Sequence, residues 1–274
     1  MTRPLLVGIL NITEDSFSDG GRYLDPAAAI AQARRLVAGG ADIVELGAAA
    51  SNIAAKPVST EEEIRRLEPV IAILKRDGVP LSIDTFQIET QLFALARGVD
   101  YLNDIQGFPD AAIYPDLAAT RCRLVVMHAA QGRGRARTLD LGPEEVWRHI
   151  HDFFAERIPQ LERAGIGRER LILDPGMGLF LSSQPEASLR VLRGLEELKR
   201  AFGSPILVSV SRKSFLARLT GRDDATTLGA ATLAAELYAA RHGADLIRTH
   251  DPAALRDALR VSEALDRRGE VTSD

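Results

Sequence analysis

The sequence repeats one local pattern: a short apolar run that stops at a polar or charged residue and then turns. It is clearest over 171–178, where Leu-Ile-Leu meets Asp174 and Pro175-Gly176 force a turn. The pattern recurs where Leu-Ser-Ile meets Asp84, Tyr-Leu meets Asn103 and Asp104, Leu-Val-Val-Met meets His128, and Asp-Leu-Ile meets Arg248. Runs this short and apolar, bounded by turn residues, read as buried strands. A charge at the end of a core strand is costly unless something answers it. If the strands are parallel and closed into a barrel, their ends converge on one rim and can answer one another.

The rest of the chain agrees with that geometry. Strand-like runs fall at 5–10, 42–46, 81–83, 101–103, 124–127, 171–173, 206–210 and 245–248. Helical periodicity lies between them at 26–38, 60–75, 87–96, 143–164, 185–200, 228–241 and 252–265, with a short helix near 111–119. Several helices open on a proline or an acidic first turn. Gly-Gly-Ala-Asp42, Gly-Val-Asp100 and Gly-Ala-Asp245 each close a helix at glycine and launch a strand. Eight strand–helix units give the count of a single-domain (β/α)8 TIM barrel, an α/β fold, over residues 1–266, with a tail at 267–274 that frays. The rival is an open doubly wound sheet, but no Gly-x-Gly-x-x-Gly turn supports it.

At 274 residues one such domain fills the chain. Its 34 basic and 38 acidic residues leave a net charge of -4, which argues against a nucleic-acid partner. The single cysteine, Cys122, excludes an intrachain disulfide framework and reads as an inert core thiol. No apolar signal core stands at the N-terminus and no run reaches about 18 apolar residues. The expectation is a soluble, cytoplasmic protein with no membrane partner.

The strand ends carry the chemistry. Any one of Asp84, Asn103 and Asp174 alone could be a structural salt-bridge partner; together they can grip a flat heterocycle with adjacent N–H donors, since a carboxylate accepts two parallel bonds from a guanidine-like edge. The opposite sign gathers later, in Ser-Val-Ser-Arg-Lys-Ser214 after strand seven and Arg248-Thr-His250 after strand eight. Barrels commonly hold phosphate near strands seven and eight. Closure sets strand eight beside strand one, so Asn11, Arg248 and His250 could clamp a pyrophosphate, with Asn11 free to ligate Mg2+. The segment after Asn11 is long and glycine-terminated, as a lid would be. His128 reads as a satisfied strand-end histidine, and His149, His151 and His242 as structural or solvent-facing. Arg212 and the run Arg133-Gly-Arg-Ala-Arg137 read as solvated charge.

These motifs together resemble dihydropteroate synthase, a folate-pathway family, across essentially the whole chain. The resemblance rests on Gly-Ile-Leu-Asn-Ile-Thr-x-Asp-Ser-Phe-Ser-Asp-Gly-Gly (8–21), Ile-Asp-Thr (83–85), Asn-Asp-Ile (103–105) and Met-His (127–128). It rests equally on Leu-Asp-Pro-Gly-Met-Gly (173–178), Val-Ser-Arg-Lys-Ser (210–214) and Arg-Thr-His (248–250). Each is short; seven in order are specific. The resemblance implies condensation of a pterin-methyl pyrophosphate with p-aminobenzoate, Mg2+ as cofactor and a homodimer. It implies Glu45, Asp84, Asn103, Met127, Asp174 and Lys213 at the pterin. Asn11, Arg248 and His250 would take the pyrophosphate, with Mg2+ on Asn11. Ser51, Phe180, Lys213 and Ser214 would hold p-aminobenzoate. Catalysis would fall to Asp84, Asp174, Lys213 and Arg248.

The departures are informative too. Glu45 is one methylene longer than the usual acid, Asn52 stands where an anion-binding arginine is usual, and Glu14 replaces a proline. Leu179-Phe180-Leu-Ser-Ser replaces the usual Phe-Gly-Lys-Thr, so the wall of the aminobenzoate pocket should differ. With Asn-Asp-Ile-Gln-Gly-Phe-Pro-Asp (103–110), these changes resemble the sulfonamide-insensitive sul-type branch. The competing functions are a non-catalytic pterin-binding paralogue and a pterin-dependent methyltransferase; neither needs a pyrophosphate clamp.

Overall fold

The computed structural model describes residues 3–13, 23–49, 57–130, 139–222 and 224–266. Eight strands form one sheet: β1 (Leu5–Asn11), β2 (Ile43–Gly47), β3 (Leu81–Asp84), β4 (Tyr101–Asp104), β5 (Arg123–Met127), β6 (Leu171–Asp174), β7 (Leu207–Val208) and β8 (Leu246–Thr249). Their spatial order is β6-β5-β4-β3-β2-β1-β8-β7, with every pairing parallel. A parallel bridge from Leu173 to Ile206 brings the two ends of that order together, with the Leu173 N–H donating to the Pro205 carbonyl at 2.8 Å. The expected (β/α)8 barrel is the fold observed.

Helices α1 (Pro26–Ala38), α2 (Thr60–Arg76), α3 (Ile88–Ala96), α4 (Tyr114–Ala118), α5 (Pro143–Arg163), α6 (Pro185–Arg193), α7 (Leu195–Phe202), α8 (Ser214–Thr220), α9 (Gly229–Arg241) and α10 (Pro252–Asp266) surround the sheet. The Asp25 side chain caps α1 through the Ala28 N–H, and Ser59 caps α2 through the Glu62 N–H. The main core lies between sheet and helices, where Leu6, Leu46, Leu67, Ile83, Leu102 and Phe154 are wholly buried. A second apolar cluster, Val7, Ile43, Val125, Ile172, Leu207 and Leu246, fills the barrel interior.

Three elements differ from the sequence expectation. The helix expected over 185–200 breaks at Gly194 into α6 and α7. A Cβ there would sit 2.4 Å from the Trp147 ring, so the break lets α5 pack closely. Strand seven is two residues long, and Ile206, expected to open it, instead stands before it and makes the closing bridge. The Ser-Arg-Lys-Ser segment, placed after strand seven, runs directly into α8, a helix not expected from the sequence, with Lys213 at its N-cap position.

The three Gly-x-Asp junctions share one construction. The Asp42 N–H donates to the Leu6 carbonyl, and the Asp42 carboxylate accepts the Leu6 N–H at 2.8 Å. Asp100 makes the same reciprocal pair with Leu81, and Asp245 with Ile206, each carboxylate accepting at 2.9 Å. Each carboxylate also meets a cation, Arg3, Lys75 or Lys199. The glycine two residues earlier has positive φ in all three, as a helix end in left-handed backbone requires. These clasps tie neighbouring strands at the N-terminal end of the barrel, opposite the site described next.

Candidate active site

The barrel interior follows the two-residue period of its strands. Ile43, Tyr101, Val125, Ile172 and Leu246 belong to the interior apolar cluster. Two residues further along the same faces stand Glu45, Asn103, Met127, Asp174 and Arg248, with Asp84 two beyond Ser82 on β3. A polar layer therefore caps an apolar plug, at the C-terminal rim where barrel enzymes place their chemistry.

Within this layer Arg248 bridges two carboxylates. Its Nε donates to Glu45 Oε1 and its Nη2 donates to Asp84 Oδ2 at 3.0 Å. Glu45 is 1% exposed, and its other oxygen accepts from Ser82 Oγ at 2.8 Å and Asn103 Nδ2 at 3.2 Å. Asp174 is also buried; its Oδ1 accepts the Gly176 N–H at 2.8 Å. Gly176 has φ +77, and a Cβ there would lie 2.5 Å from the His128 carbonyl, so the turn that delivers this N–H requires glycine. Two buried oxygens at this level have no partner among the described residues, Asn103 Oδ1 and Ser209 Oγ, the latter two residues beyond the interior Leu207. Buried polar atoms are rarely left unpaired, so these two are suited to a ligand's donors.

Burial raises the Asp84 carboxyl to about 7 against the pull of Arg248, and nearby Glu45 adds to the rise. It raises Asp174 to about 6, opposed by the Gly176 N–H, Lys213 and Arg248. Burial and the nearby Arg248 push Lys213 down to about 8, while Asp174, Asp84 and Glu45 work to keep it charged. Asp84, Asp174 and Lys213 thus share one largely enclosed space, each nearer neutrality at pH 7 than it would be in water. Perturbation of this kind is characteristic of functional sites.

The outer parts of the site lie around that layer. Lys213 Nζ sits 5.1 Å from the centroid of the Phe180 ring. Phe180 is fixed in a 3-10 turn, Gly178–Phe180, and its carbonyl accepts the Ala130 N–H at 2.9 Å. Ser214 opens α8, its Oγ 3.4 Å from where a Cβ on Gly178 would be. Met127 is buried opposite Asp174 in register. Asn11 ends β1 beside Gly47. His250 follows β8, its Nδ1 2.9 Å from Ser211 Oγ. Burial, helped by Arg212, Arg248 and Lys213, holds His250 well below its usual pKa, so it is neutral. Ser51, Asn52, Glu14 and the 131–138 run lie outside the described residues.

Arg212, read as a solvated charge, is instead half-buried, in left-handed backbone (φ 59), with its N–H donating to Thr232 Oγ1 at 3.1 Å. His128 is the satisfied histidine expected: buried, edge-on to Phe153, with Nδ1 donating to the Pro175 carbonyl at 3.2 Å and burial lowering its pKa to about 4. Cys122 is a buried thiol, pushed up to about 12 by burial.

Sequence reasoning missed the Ser82–Glu45 bond, the Ser211–His250 bond and Glu236 behind β8. Ser82 was findable, because a polar residue two before Asp84 shares its face. Glu236 is 1% exposed, hydrogen-bonds the Thr249 side chain and leaves Oε1 without a partner among the described residues. Burial raises its carboxyl from 4.5 to about 8. A carboxyl with a raised folded-state pKa loses stability as pH climbs from its unfolded toward its folded value. Glu236→Gln should therefore match the parent in melting temperature near pH 4.5 and exceed it progressively up to pH 8, by about 2–4 kcal/mol at the top. A constant difference across that range would exclude a protonated Glu236.

Residues 7–250 match the pterin binding enzyme family. The chain is 57% identical to the dihydropteroate synthase type-2 of Escherichia coli over 266 residues, covering 97% of each. Its fold resembles that of Xanthomonas albilineans dihydropteroate synthase with 4-aminobenzoic acid (TM-score 0.85, 37% identity, 97% and 95% covered). It likewise resembles the complex of that enzyme with 7,8-dihydropteroate (TM-score 0.81, 34% identity, 97% and 94% covered). With a polar layer at the barrel mouth and this similarity along its whole length, the chain belongs to the dihydropteroate synthase family of pterin-binding enzymes.

Proposed function

We propose that this chain is a dihydropteroate synthase: it joins 6-hydroxymethyl-7,8-dihydropterin pyrophosphate to p-aminobenzoate, giving 7,8-dihydropteroate and pyrophosphate, with lowered sulfonamide sensitivity. One observation carries the reading. The acceptors Asp84, Asn103 and Asp174, the last two buried and Asp84 partly so, stand against the cations Lys213 and Arg248 in a single layer of the barrel.

Asp174 and the unpartnered Asn103 Oδ1 accept the pterin's N–H donors, a contact that selects a flat, guanidine-like edge. Glu45 supports this set by holding Asn103 and Arg248, and Met127 lines it. The methylene C–O bond breaks and its electron pair leaves with pyrophosphate. Asp84 and Asp174 stabilise the positive charge that develops on the pterin methylene. Arg248 and neutral His250 receive the leaving group. With Nδ1 occupied by Ser211, His250 is placed to donate from Nε2. The arylamine nitrogen of p-aminobenzoate then bonds to the methylene and releases a proton. Lys213 and Ser214 hold the arylamine side, Phe180 forms its wall, and Ser51 is assigned there by resemblance.

Among the described residues no group of three or more His, Cys, Asp or Glu is arranged to hold a metal. A single amide oxygen on Asn11 still suits Mg2+, which usually takes one or two protein oxygens together with substrate phosphates and water. Bound there, Mg2+ would supply charge neutralisation on the pyrophosphate. No helix among the described residues is long and apolar enough to cross a membrane; a cytoplasmic site of action is assigned by the resemblance alone. Exposed Leu219, Tyr238, Val261 and Leu265 on α8, α9 and α10 support a homodimer formed through that side.

The reading is tested by supplying both substrates with Mg2+ and measuring pyrophosphate release. Intact pterin binding without release would establish a non-catalytic pterin binder instead. Lowered sulfonamide sensitivity is assigned to Phe180, since a clash against one ligand discriminates without new attraction to the other. Phe180→Ala should tighten sulfonamide inhibition about tenfold while the KM for p-aminobenzoate moves about twofold or less. An unchanged inhibition constant removes Phe180 from the selectivity wall.

A further inference from the structure

Behind the polar layer, on the opposite faces of β3 and β4, lies a buried network with no place in the reaction as described. Thr85 directly follows Asp84, and Asp104 directly follows Asn103. By strand alternation their side chains point away from the interior. They meet α2 and α3: Thr85 Oγ1 donates to Glu63 Oε2 at 2.9 Å, and Gln91 Nε2 donates to Asp104 Oδ2 at 3.0 Å. Gln91 Nε2 also donates to the Thr85 main-chain carbonyl at 3.0 Å. One carboxamide thus ties the residue after Asp84 to the residue after Asn103.

We infer that Gln91 is a positioning residue for pterin recognition: its side-chain NH2 straps β3 to β4 behind the rim and sets the relative placement of Asp84 and Asn103. The inference rests on the proposed role of those two residues at the pterin.

The chemistry of the position calls for a carboxamide. Both neighbours of Nε2 are acceptors, a carbonyl and a carboxylate, so the amide has one satisfactory orientation. Its two hydrogens match the two acceptors. A carboxylate in its place would face the Asp104 carboxylate, and an apolar side chain would leave the Thr85 carbonyl unanswered. Gln91 is 1% exposed and Asp104 2%, so water cannot substitute freely for the lost donor.

The strap is anchored on both sides. The other contacts of Asp104 are the N–H groups of Gln106 and Phe108, at 2.7 and 3.2 Å, which fold the chain beyond β4 back on itself. On the α2 side, Glu63 Oε2 accepts from Thr90 Oγ1 at 2.7 Å as well as from Thr85, which holds the start of α3 in place. The Thr85 N–H donates to the Asn103 carbonyl at 3.0 Å, closing the ladder between the two rim residues. Gln91 is the member of this network that reaches both strands through its side chain.

The test uses the full-length enzyme with both substrates. Gln91→Met keeps the volume and removes both donors. The expected result is a KM for the pterin substrate raised about tenfold, as small misplacements of binding groups produce, with the KM for p-aminobenzoate within about twofold. A folded Gln91→Met enzyme with unchanged pterin KM overturns the inference, as does an equal rise in both KM values. Should Gln91→Met not fold, Gln91→Glu decides: it keeps the length but, ionised, offers no N–H to the Thr85 carbonyl or to Asp104. A pterin KM raised about tenfold with the p-aminobenzoate KM within about twofold upholds the strap; an unchanged pterin KM, or an equal rise in both, overturns it. Asn103→Ala, measured in parallel, separates the two claims: if it leaves pterin binding intact, the assignment of the site itself fails. If Asn103→Ala loses pterin binding and Gln91→Met does not, only the strap fails.

Discussion

Replacing Arg248 with methionine is expected to lower turnover by about a thousandfold and to destabilise the protein by about 3–5 kcal/mol, because it strands the buried Glu45 carboxylate and the part-buried Asp84. Glu45 and Asp84 share that one guanidinium, bonded through Nε and Nη2. Without it they face each other with no cation between them. The sign follows from Asp84: burial already raises its carboxyl to about 7 against the pull of Arg248, so removing that pull raises it further, and the variant loses stability as pH rises and regains it toward pH 5. Melting curves at pH 5.5 and 8 should show a deficit against the parent that is larger at pH 8. A deficit independent of pH would mean that the carboxylates have another partner. Arg248→Lys should recover only part of the loss, since a point charge cannot span both carboxylates as the planar fork does.

Asp174→Asn is expected to separate stability from function. It keeps the shape of the side chain and an acceptor for the Gly176 N–H, but it removes the charge and turns one acceptor into a donor facing the ligand's own donors. Pterin affinity should fall beyond easy measurement, with kcat/KM down about 10³-fold. Burial raises the Asp174 carboxyl from 3.8 to about 6, so ionising it costs the folded protein stability as pH climbs through that window. The ligand-free variant should therefore melt no lower than the parent at pH 7, the usual relation between a strained site and its neutralised variant. Titration calorimetry with the pterin and a melting curve check both halves. Near-normal pterin affinity would remove Asp174 from the site.

Much of the barrel was legible because parallel strands buried on both faces read as unbroken apolar runs, and their ends are marked by an abrupt polar residue. Asp84, Asn103, Asp174 and Arg248 stood out for that reason. Of the two partners of Arg248, Glu45 did not stand out by pattern and entered only through the resemblance. Glu45 lies in the middle of β2, and the bond between them crosses the barrel between residues 203 apart, a relation no local pattern encodes. Gly194 was hidden for a similar reason: the ring that requires it belongs to Trp147 on another helix. Helix α8 is too short to display a period, and the Gln91–Asp104 bond joins residues that look like ordinary surface polars when read singly. What the sequence conveys is which face each residue occupies; what it conceals is which residue waits on the other side.

The three aspartate clasps carry a consequence for how such a molecule can change. They fasten the foot of the cup, on Leu6, Leu81 and Ile206, while Phe180, Lys213 and Asn103 occupy its lip. Because the fastening and the chemistry sit at opposite ends of the same strands, a residue at the lip can be exchanged to refuse a drug without loosening the foot. An architecture divided in this way leaves room for resistance to evolve at little cost in folding.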